Sequence, residues 1–130
     1  MGNATDTRKR LMDAAETVIC AARGSLDISV RRIAAEAGTN VAAISYHFGS
    51  LEGLAVETAR RVYTRLNGAR LAELQAVADA AAPQPPALAD TVRALIATSI
   101  RWSHDPDSPY AVFLYVNRLS SLSEHPDHFD

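Results

Sequence analysis

The spacing of apolar residues is the feature that most constrains how this chain folds. These residues recur at every third or fourth position along most of the sequence, and no stretch shows the strict alternation of a half-buried strand. Positions three and four apart share one face of an α-helix. Alanine, the best helix former, supplies much of the 48% apolar content. The sequence therefore predicts an all-α fold, without repeats.

Glycines divide the first part of this pattern into three helices. The first is predicted over residues 7–23, and Gly24 stops it. Two short helices follow, with Ser29 and Asn40 as their N-caps and Gly38 as the stop between them. Each cap supplies a side-chain oxygen to amides that have no partner within the helix. The result is a compact three-helix head.

Three longer helices are predicted after Gly49. The fourth covers about residues 51–81, is capped by Ser50, and is expected to bend or fray near Gly68. The proline-rich segment 83–86 is a helix stop and a stiff connector. A fifth helix is predicted from residue 87 to about 104. Ser108 as cap, with Pro109 in the first turn, is expected to open a sixth that runs to about residue 121.

Composition excludes several classes of protein. Cys20 is the only cysteine, so no disulfide can form within the chain. No run of about 18 apolar residues exists, so no membrane span is expected. There is no nucleophile–base pair, phosphate loop or carboxylate pair, so we expect neither an enzyme nor a cofactor. His125 and His128 have the spacing of metal ligands, but Pro126 and the nearby chain end favour a disordered tail, and no metal is predicted.

Charge is distributed unevenly along the chain. The formal net charge of −2 on its face argues against a nucleic-acid partner. Residues 1–50, however, carry six basic and five acidic side chains, whereas residues 83–130 carry three basic and six acidic ones. Three of the basic residues are consecutive, at positions 8–10. The N-terminal part is therefore the more suitable one for a polyanion.

The second and third helices, joined by Gly38-Thr39-Asn40, form a predicted helix-turn-helix, whose second helix can enter the DNA major groove. Val41, Ile44 and Phe48 are expected to face inward, and the motif's core is assigned to Ile33, Ala34, Gly38, Ile44 and Phe48. The outward positions are Asn40, Ala43, Ser45, Tyr46 and His47. Tyr46 and His47 can both hydrogen-bond a phosphate. The alternatives are that Tyr46 packs on the first helix, and that His47 bonds the helix end.

The segments "LMDAAETVI" and "SVRRIAAEAGTNVAAISYHFGSLEGL" make residues 7–66 resemble the DNA-binding domain of the TetR family of bacterial transcriptional regulators. The resemblance implies that Ser29 is both a cap and a phosphate contact and that Arg31 contacts a base or phosphate, although a solvated or ion-paired arginine is the alternative. It implies that Asn40 caps the recognition helix. It also implies that the positions facing DNA are Ala43, Ser45, Tyr46 and His47.

Two positions depart from the family's pattern. Family members usually have a lysine directly after the position of Ser50, where this chain has Leu51. Loss of one phosphate contact lowers the slope of log affinity against log salt concentration by about 0.9. It weakens binding without abolishing it. The backbone amides in the first turn of that helix, which have no partner within it, can still bind a phosphate. The connection between the first two helices is also about one residue longer than usual.

Beyond residue 66 the resemblance is architectural. It implies a helix-turn-helix domain over residues 7–50, extending to about 66, and a partial regulatory and dimerisation domain over residues 51–130. Family members run well past 130 residues, so the chain is expected to be truncated or a short form. The partners implied are a double-stranded DNA operator, an unknown small-molecule effector and a second copy. The candidate effector-pocket residues are Tyr63, Trp102, Tyr110 and Phe113, although core or interface packing is the more common role of such aromatic residues.

The sixth helix is apolar on all sides over residues 110–116 and must be covered on both faces. We expect it to form a homodimer interface or a patch exposed by truncation, with the homodimer favoured. The predicted function is a cytoplasmic regulator, nucleoid-associated when bound to DNA, and most often a repressor that a small molecule releases. The alternative is a helical interaction module that has lost strong DNA binding, with Leu51 and the net charge in its support.

Overall fold

The computed structural model of the chain describes residues 3–124, and over that range it is all-α, as the sequence predicts. His125 and His128 lie outside the described residues. The six helices are α1 (Asn3–Ala21), α2 (Val30–Glu36), α3 (Val41–Phe48), α4 (Leu51–Ala81), α5 (Leu88–His104) and α6 (Ala111–Glu124).

Short-range hydrogen bonds explain where three of these helices begin. Ser29 Oγ accepts from the Arg32 amide at 3.2 Å, and Asn40 Oδ1 accepts from the Ala43 amide at 3.1 Å. Ser50 Oγ accepts from the Gly53 amide at 3.0 Å at the start of α4. Each hydroxyl or amide oxygen satisfies a backbone N–H that has no partner inside the helix. Three of the four predicted caps are therefore confirmed.

Other predicted boundaries were wrong. Helix α1 begins at Asn3 and ends at Ala21, earlier at both ends than predicted. Helix α4 continues through Gly68, so the predicted frayed turn was wrong, because one glycine costs only about 1 kcal/mol in a long helix; a bend there stays a prediction. Helix α6 begins at Ala111, three residues after Ser108, so Ser108 is not at the cap position that the sequence predicts for it. The Ser108 hydroxyl instead donates to the backbone carbonyl of Trp102 at the end of α5.

The described residues divide into two compact units, one holding residues 3–60 and 109–124 and the other holding Arg61–Ser108. In the first unit, α1 packs against α2, α3 and α6, and α2 packs against α3. Among the described residues, the core of this unit is aliphatic with one buried aromatic ring, Tyr115. Its large buried side chains are Leu11, Val18, Ile19, Ile28, Ile33, Ile44, Leu54, Val112 and Tyr115.

Two observations place α6 within the first unit: a hydrogen bond from Arg118 and the burial of Tyr115. The guanidinium of Arg118 donates to the backbone carbonyl of Gly24, in the loop after α1. Tyr115 is buried, and burial, together with the negative charge of Glu52, raises the pKa of its phenol above its usual value. Residues 110–116 are apolar on all sides in sequence, whereas the structure buries Val112 and Tyr115 and leaves Leu114 exposed.

In the second unit, α5 buries small side chains and exposes large ones. Ala94 and Thr98 are buried, and the Arg70 guanidinium donates to the Ser99 hydroxyl. Arg101 forms an ion pair with Glu73 of α4. The exposed aliphatic side chains of α5 are Leu88, Val92, Leu95, Ile96 and Ile100. Helix α5 is therefore amphipathic, but the side that carries its large aliphatic residues is the exposed one.

Among the helices within residues 3–124, none combines the length and the low polarity that crossing a bilayer requires.

Candidate functional site

The turn between α2 and α3 has the hydrogen bonding of a Schellman motif. The Thr39 amide donates to the Ala34 carbonyl at 2.9 Å, and the Gly38 amide donates to the Ala35 carbonyl at 3.1 Å. Gly38 has φ +70°, a conformation that side chains disfavour. Asn40 then caps α3 only two residues later. Four residues therefore connect the two helices, and α3 starts at a defined point against α2.

Helix α3 has one buried residue and a wide exposed face. Ile44 is buried, Phe48 is half-buried, and Ser45 is exposed. Tyr46 is 84% exposed, an unusual position for a tyrosine in a helix that packs against two others. The prediction that Val41 faces inward was wrong, because Val41 lies in the first turn and its side chain is 39% exposed.

Tyr46 and His47 form an aromatic pair at the end of α3. Their ring centroids lie 4.9 Å apart with an interplanar angle of 87°, an edge-to-face arrangement. Tyr46 is exposed, while His47 is half-buried and so presents only part of its ring to solvent. Both side chains carry hydrogen-bonding groups that suit phosphates and base edges.

The remaining predicted contact residues lie at the starts of α2 and α3 and within α3. Asn40 is exposed, as are Ser29 and Arg31 at the start of α2, and Ala43 is half-buried on α3. Ser29 and Asn40 also cap their helices, so a substitution at either position changes a helix start as well as the surface. The structure therefore groups the predicted residues at the start of α2 and along α3. Their role in contacting a ligand stays a prediction.

Arg8 is the residue that sequence analysis missed. Its Nη1 donates to the backbone carbonyl of His47 at 2.7 Å, and its guanidinium carbon lies 4.4 Å from the centroid of the Phe48 ring. The only available signal was the basic run at residues 8–10, which was interpreted as a mild positive charge. Lys9 and Arg10, by contrast, pair with Asp13 and Asp6 of their own helix.

A cleft lies beside the end of α3. It has a volume of about 480 Å³ and is lined by Arg8, His47, Phe48, Ser50, Glu52, Gly53, Val56 and Glu57. Its charged groups are one arginine and two glutamates, which do not favour a free anion there. Gly53 allows the start of α4 to lie close to the end of α3, because a Cβ at that position would collide with the Phe48 carbonyl oxygen.

The four candidate effector-pocket residues divide between the two units. Tyr63 is exposed and Trp102 half-buried in the Arg61–Ser108 unit. Tyr110 and Phe113 belong to the other unit, where their rings pack edge-to-face with centroids 5.7 Å apart. Their assignment to an effector pocket stays a prediction.

Within residues 3–124, no group of three or more His, Cys, Asp or Glu residues is placed so that it could hold a metal ion.

Comparison with known proteins gives one match. Residues 11–58 match the model of a protein family described as bacterial regulatory proteins, tetR family. The matched range begins in α1, contains α2 and α3, and ends in the first turns of α4. No curated protein and no solved structure matches the chain significantly.

Proposed function

We propose that this DNA-binding transcription regulator acts as a repressor. The proposal starts from residues 11–58, which match the N-terminal helix-turn-helix domain of the TetR family of bacterial regulators. A small-molecule effector releases the repressor from its operator. It works in the cytoplasm, associated with the nucleoid when bound to DNA. Residues 7–50, extending to about 66, bind DNA, and residues 51–130 serve regulation and dimerisation. The single observation that carries the DNA-binding part is the exposed face of α3, held by buried Ile44 and capped by Asn40.

The reading surface consists of Arg31, Ser45, Tyr46 and His47. The major groove is about 12 Å wide and accepts one α-helix. Tyr46 is the most exposed large side chain of α3, so it reaches furthest towards a duplex laid along that helix. It can donate to a phosphate or pack on a thymine methyl group. Ser29 adds a phosphate contact, while Asn40 and Ala43 complete the face.

Replacement of Tyr46 tests this surface. Tyr46→Ala should weaken binding to a cognate duplex by about 1–3 kcal/mol without loss of helicity. Tyr63→Ala is the matched control, since Tyr63 is also an exposed tyrosine but lies on α4. Fluorescence anisotropy gives the affinities, and circular dichroism gives the helicity. Equal affinities for wild type and Tyr46→Ala would remove Tyr46 from the surface.

The proposed regulator binds DNA as a homodimer, because one recognition helix covers too little of an operator. One short recognition helix contacts few base pairs, and regulators of this type place two heads in successive major grooves, about 34 Å apart. Outward apolar side chains on α6, Leu114 and Leu122, support an interface there. Sedimentation at several concentrations measures the assembly, and Leu114→Glu should shift it towards monomer. A monomer at every concentration would contradict the dimer.

The second candidate is a helical interaction module that no longer binds DNA strongly. It is favoured by the start of α4, where Leu51 occupies the family's lysine position and Glu52 and Glu57 line the neighbouring cleft. Acidic groups beside a phosphate backbone oppose binding. Titration of the whole chain with random-sequence duplex DNA at two salt concentrations separates the candidates, since only a DNA-binding protein shows salt-dependent affinity.

A further inference from the structure

A single side chain of α1 holds the last turn of α3. Arg8 Nη1 donates to the His47 carbonyl at 2.7 Å, which joins residues 39 positions apart in sequence. Arg8 is half-buried, so part of its charged group has already left water to make this contact. The bond is of the charge-assisted kind, which is stronger than one between neutral groups.

The partner carbonyl is one that α3 cannot satisfy itself. The last four carbonyls of a helix have no amide partner within it. Helix α3 ends at Phe48, and Gly49, with φ +80°, turns the chain away after donating to the Ser45 carbonyl. The His47 carbonyl therefore takes its donor from α1. A cation at this end also complements the negative end of the helix dipole.

The same guanidinium lies over the Phe48 ring. Its carbon is 4.4 Å from the ring centroid, within the range of a cation–π contact. One planar group thus contacts the backbone of His47 and the side chain of Phe48, two consecutive residues. Tyr46 immediately precedes them, and its ring packs edge-to-face on the His47 ring. Rotation or fraying of this turn would move the whole Tyr46–His47 pair.

The neighbouring basic residues are engaged differently. Lys9 pairs with Asp13 at 2.8 Å, and both side chains are exposed. Arg10 lies 3.8 Å from Asp6, also on α1. Both contacts stay within one helix. Lys9 is therefore a control that removes one positive charge next to Arg8 without touching α3.

We propose that Arg8 is a positioning residue for DNA reading: it sets the orientation of Tyr46 and His47, and thereby determines sequence specificity, without contacting DNA itself. The inference rests on the proposed function. It predicts that loss of Arg8 lowers affinity for the cognate sequence and leaves affinity for random DNA and its salt dependence unchanged. A phosphate contact would show the opposite pattern, because phosphate contacts give affinity that is independent of sequence.

The test uses the full chain and a cognate duplex that the wild type selects from a random-sequence DNA pool. Affinity for this duplex and for random duplex is measured at several salt concentrations for wild type, Arg8→Ala, Arg8→Lys and Lys9→Ala. Arg8→Ala should lower the ratio of cognate to random affinity at least about tenfold. Lysine keeps the charge but lacks the planar group, so Arg8→Lys should restore only part of the ratio. Lys9→Ala should keep the wild-type ratio.

Hydrogen exchange adds a readout that does not depend on DNA. The amides of Ser45–Gly49 should exchange faster in Arg8→Ala than in wild type, while the amides of α2 stay unchanged. If Arg8→Ala does not fold, Arg8→Lys carries the test by the same two measurements.

Three results would overturn the inference. An unchanged ratio in Arg8→Ala, or in Arg8→Lys where only that variant folds, means that Arg8 does not position the reading surface. An equal loss for both duplexes, a salt slope lowered by about 0.9, and full rescue by lysine mean that Arg8 contacts a phosphate directly. A wild-type chain that selects no sequence overturns the proposed function as well, and this failure is distinct because it appears before any substitution is made.

Discussion

The helices α1–α3 and the helix α5 use their large apolar side chains in opposite ways. In α1–α3 the buried large aliphatic residues are Leu11, Val18, Ile19, Ile33 and Ile44, and a tyrosine is outside on α3. In the Arg61–Ser108 unit, α5 buries Ala94 and Thr98 and leaves five large aliphatic residues exposed. Helical periodicity is present in both regions, but the large apolar side is mostly buried in α1–α3 and exposed in α5, although Val62 and Leu66 of α4 are buried in the same unit as α5. Amphipathicity therefore shows that a helix has two sides and does not show which side is buried.

Matched isoleucine substitutions test this contrast and should give its largest effect. Ile33 is fully buried in α2, whereas Ile96 is 51% exposed on α5. Ile33→Ala should cost about 2–5 kcal/mol of unfolding free energy, because it removes buried methyl groups and leaves a cavity. Ile96→Ala should cost less than about 1 kcal/mol, since much of its surface is already in water. Denaturant unfolding measures both, and equal costs would show that the outer side of α5 is covered in solution.

Two glycines of α4 give the next test. A Cβ at Gly53 would collide with the Phe48 carbonyl oxygen, whereas a Cβ at Gly68 has no neighbour within 4 Å. Gly53→Ala should therefore destabilise the first unit by about 2 kcal/mol or more, the cost typical of overpacking. Gly68→Ala should stabilise by up to about 1 kcal/mol, because alanine has the higher helix propensity. Thermal unfolding compares the two, and a neutral Gly53→Ala would mean that α3 and α4 are not in close contact.

A smaller effect is expected at the start of α4. Leu51→Lys should add one phosphate contact and steepen the slope of log affinity against log salt by about 0.9. Leu71→Lys, at an exposed leucine in the second half of the same helix, adds the same charge and is the control. If neither variant changes the slope, the start of α4 lies away from the DNA backbone.

The smallest expected effect concerns Tyr115 at alkaline pH. Burial and the charge of Glu52 raise the pKa of its phenol above 10.0, so the folded state keeps the neutral form longer than the unfolded chain does. Stability is therefore fully present below about pH 10 and falls as pH rises towards the folded-state pKa. Tyr115→Phe should make that fall shallower. An unchanged pH profile between pH 9 and 11 would contradict a buried phenol at this position.

Local signals predicted much of the first unit. Caps such as Ser29 and Asn40 were predictable because each acts on an amide three residues away. Tyr46 was predictable as exposed because its neighbour Ile44 occupies the inward position. The start of α6 was not, because the Ser108 hydroxyl bonds Trp102 of the preceding helix. Arg8 was not either, because its partners are brought to it only by the tertiary fold.

Selection from a random-sequence DNA pool is the most direct test of the central claim that the exposed face of α3 reads DNA. The account predicts that the wild-type chain enriches one sequence, arranged as two half-sites with twofold symmetry about 34 Å apart, and that Tyr46→Ala enriches it far less. It also predicts that binding weakens steeply as salt rises. A chain that folds but enriches no sequence and shows no salt-dependent affinity would contradict the account.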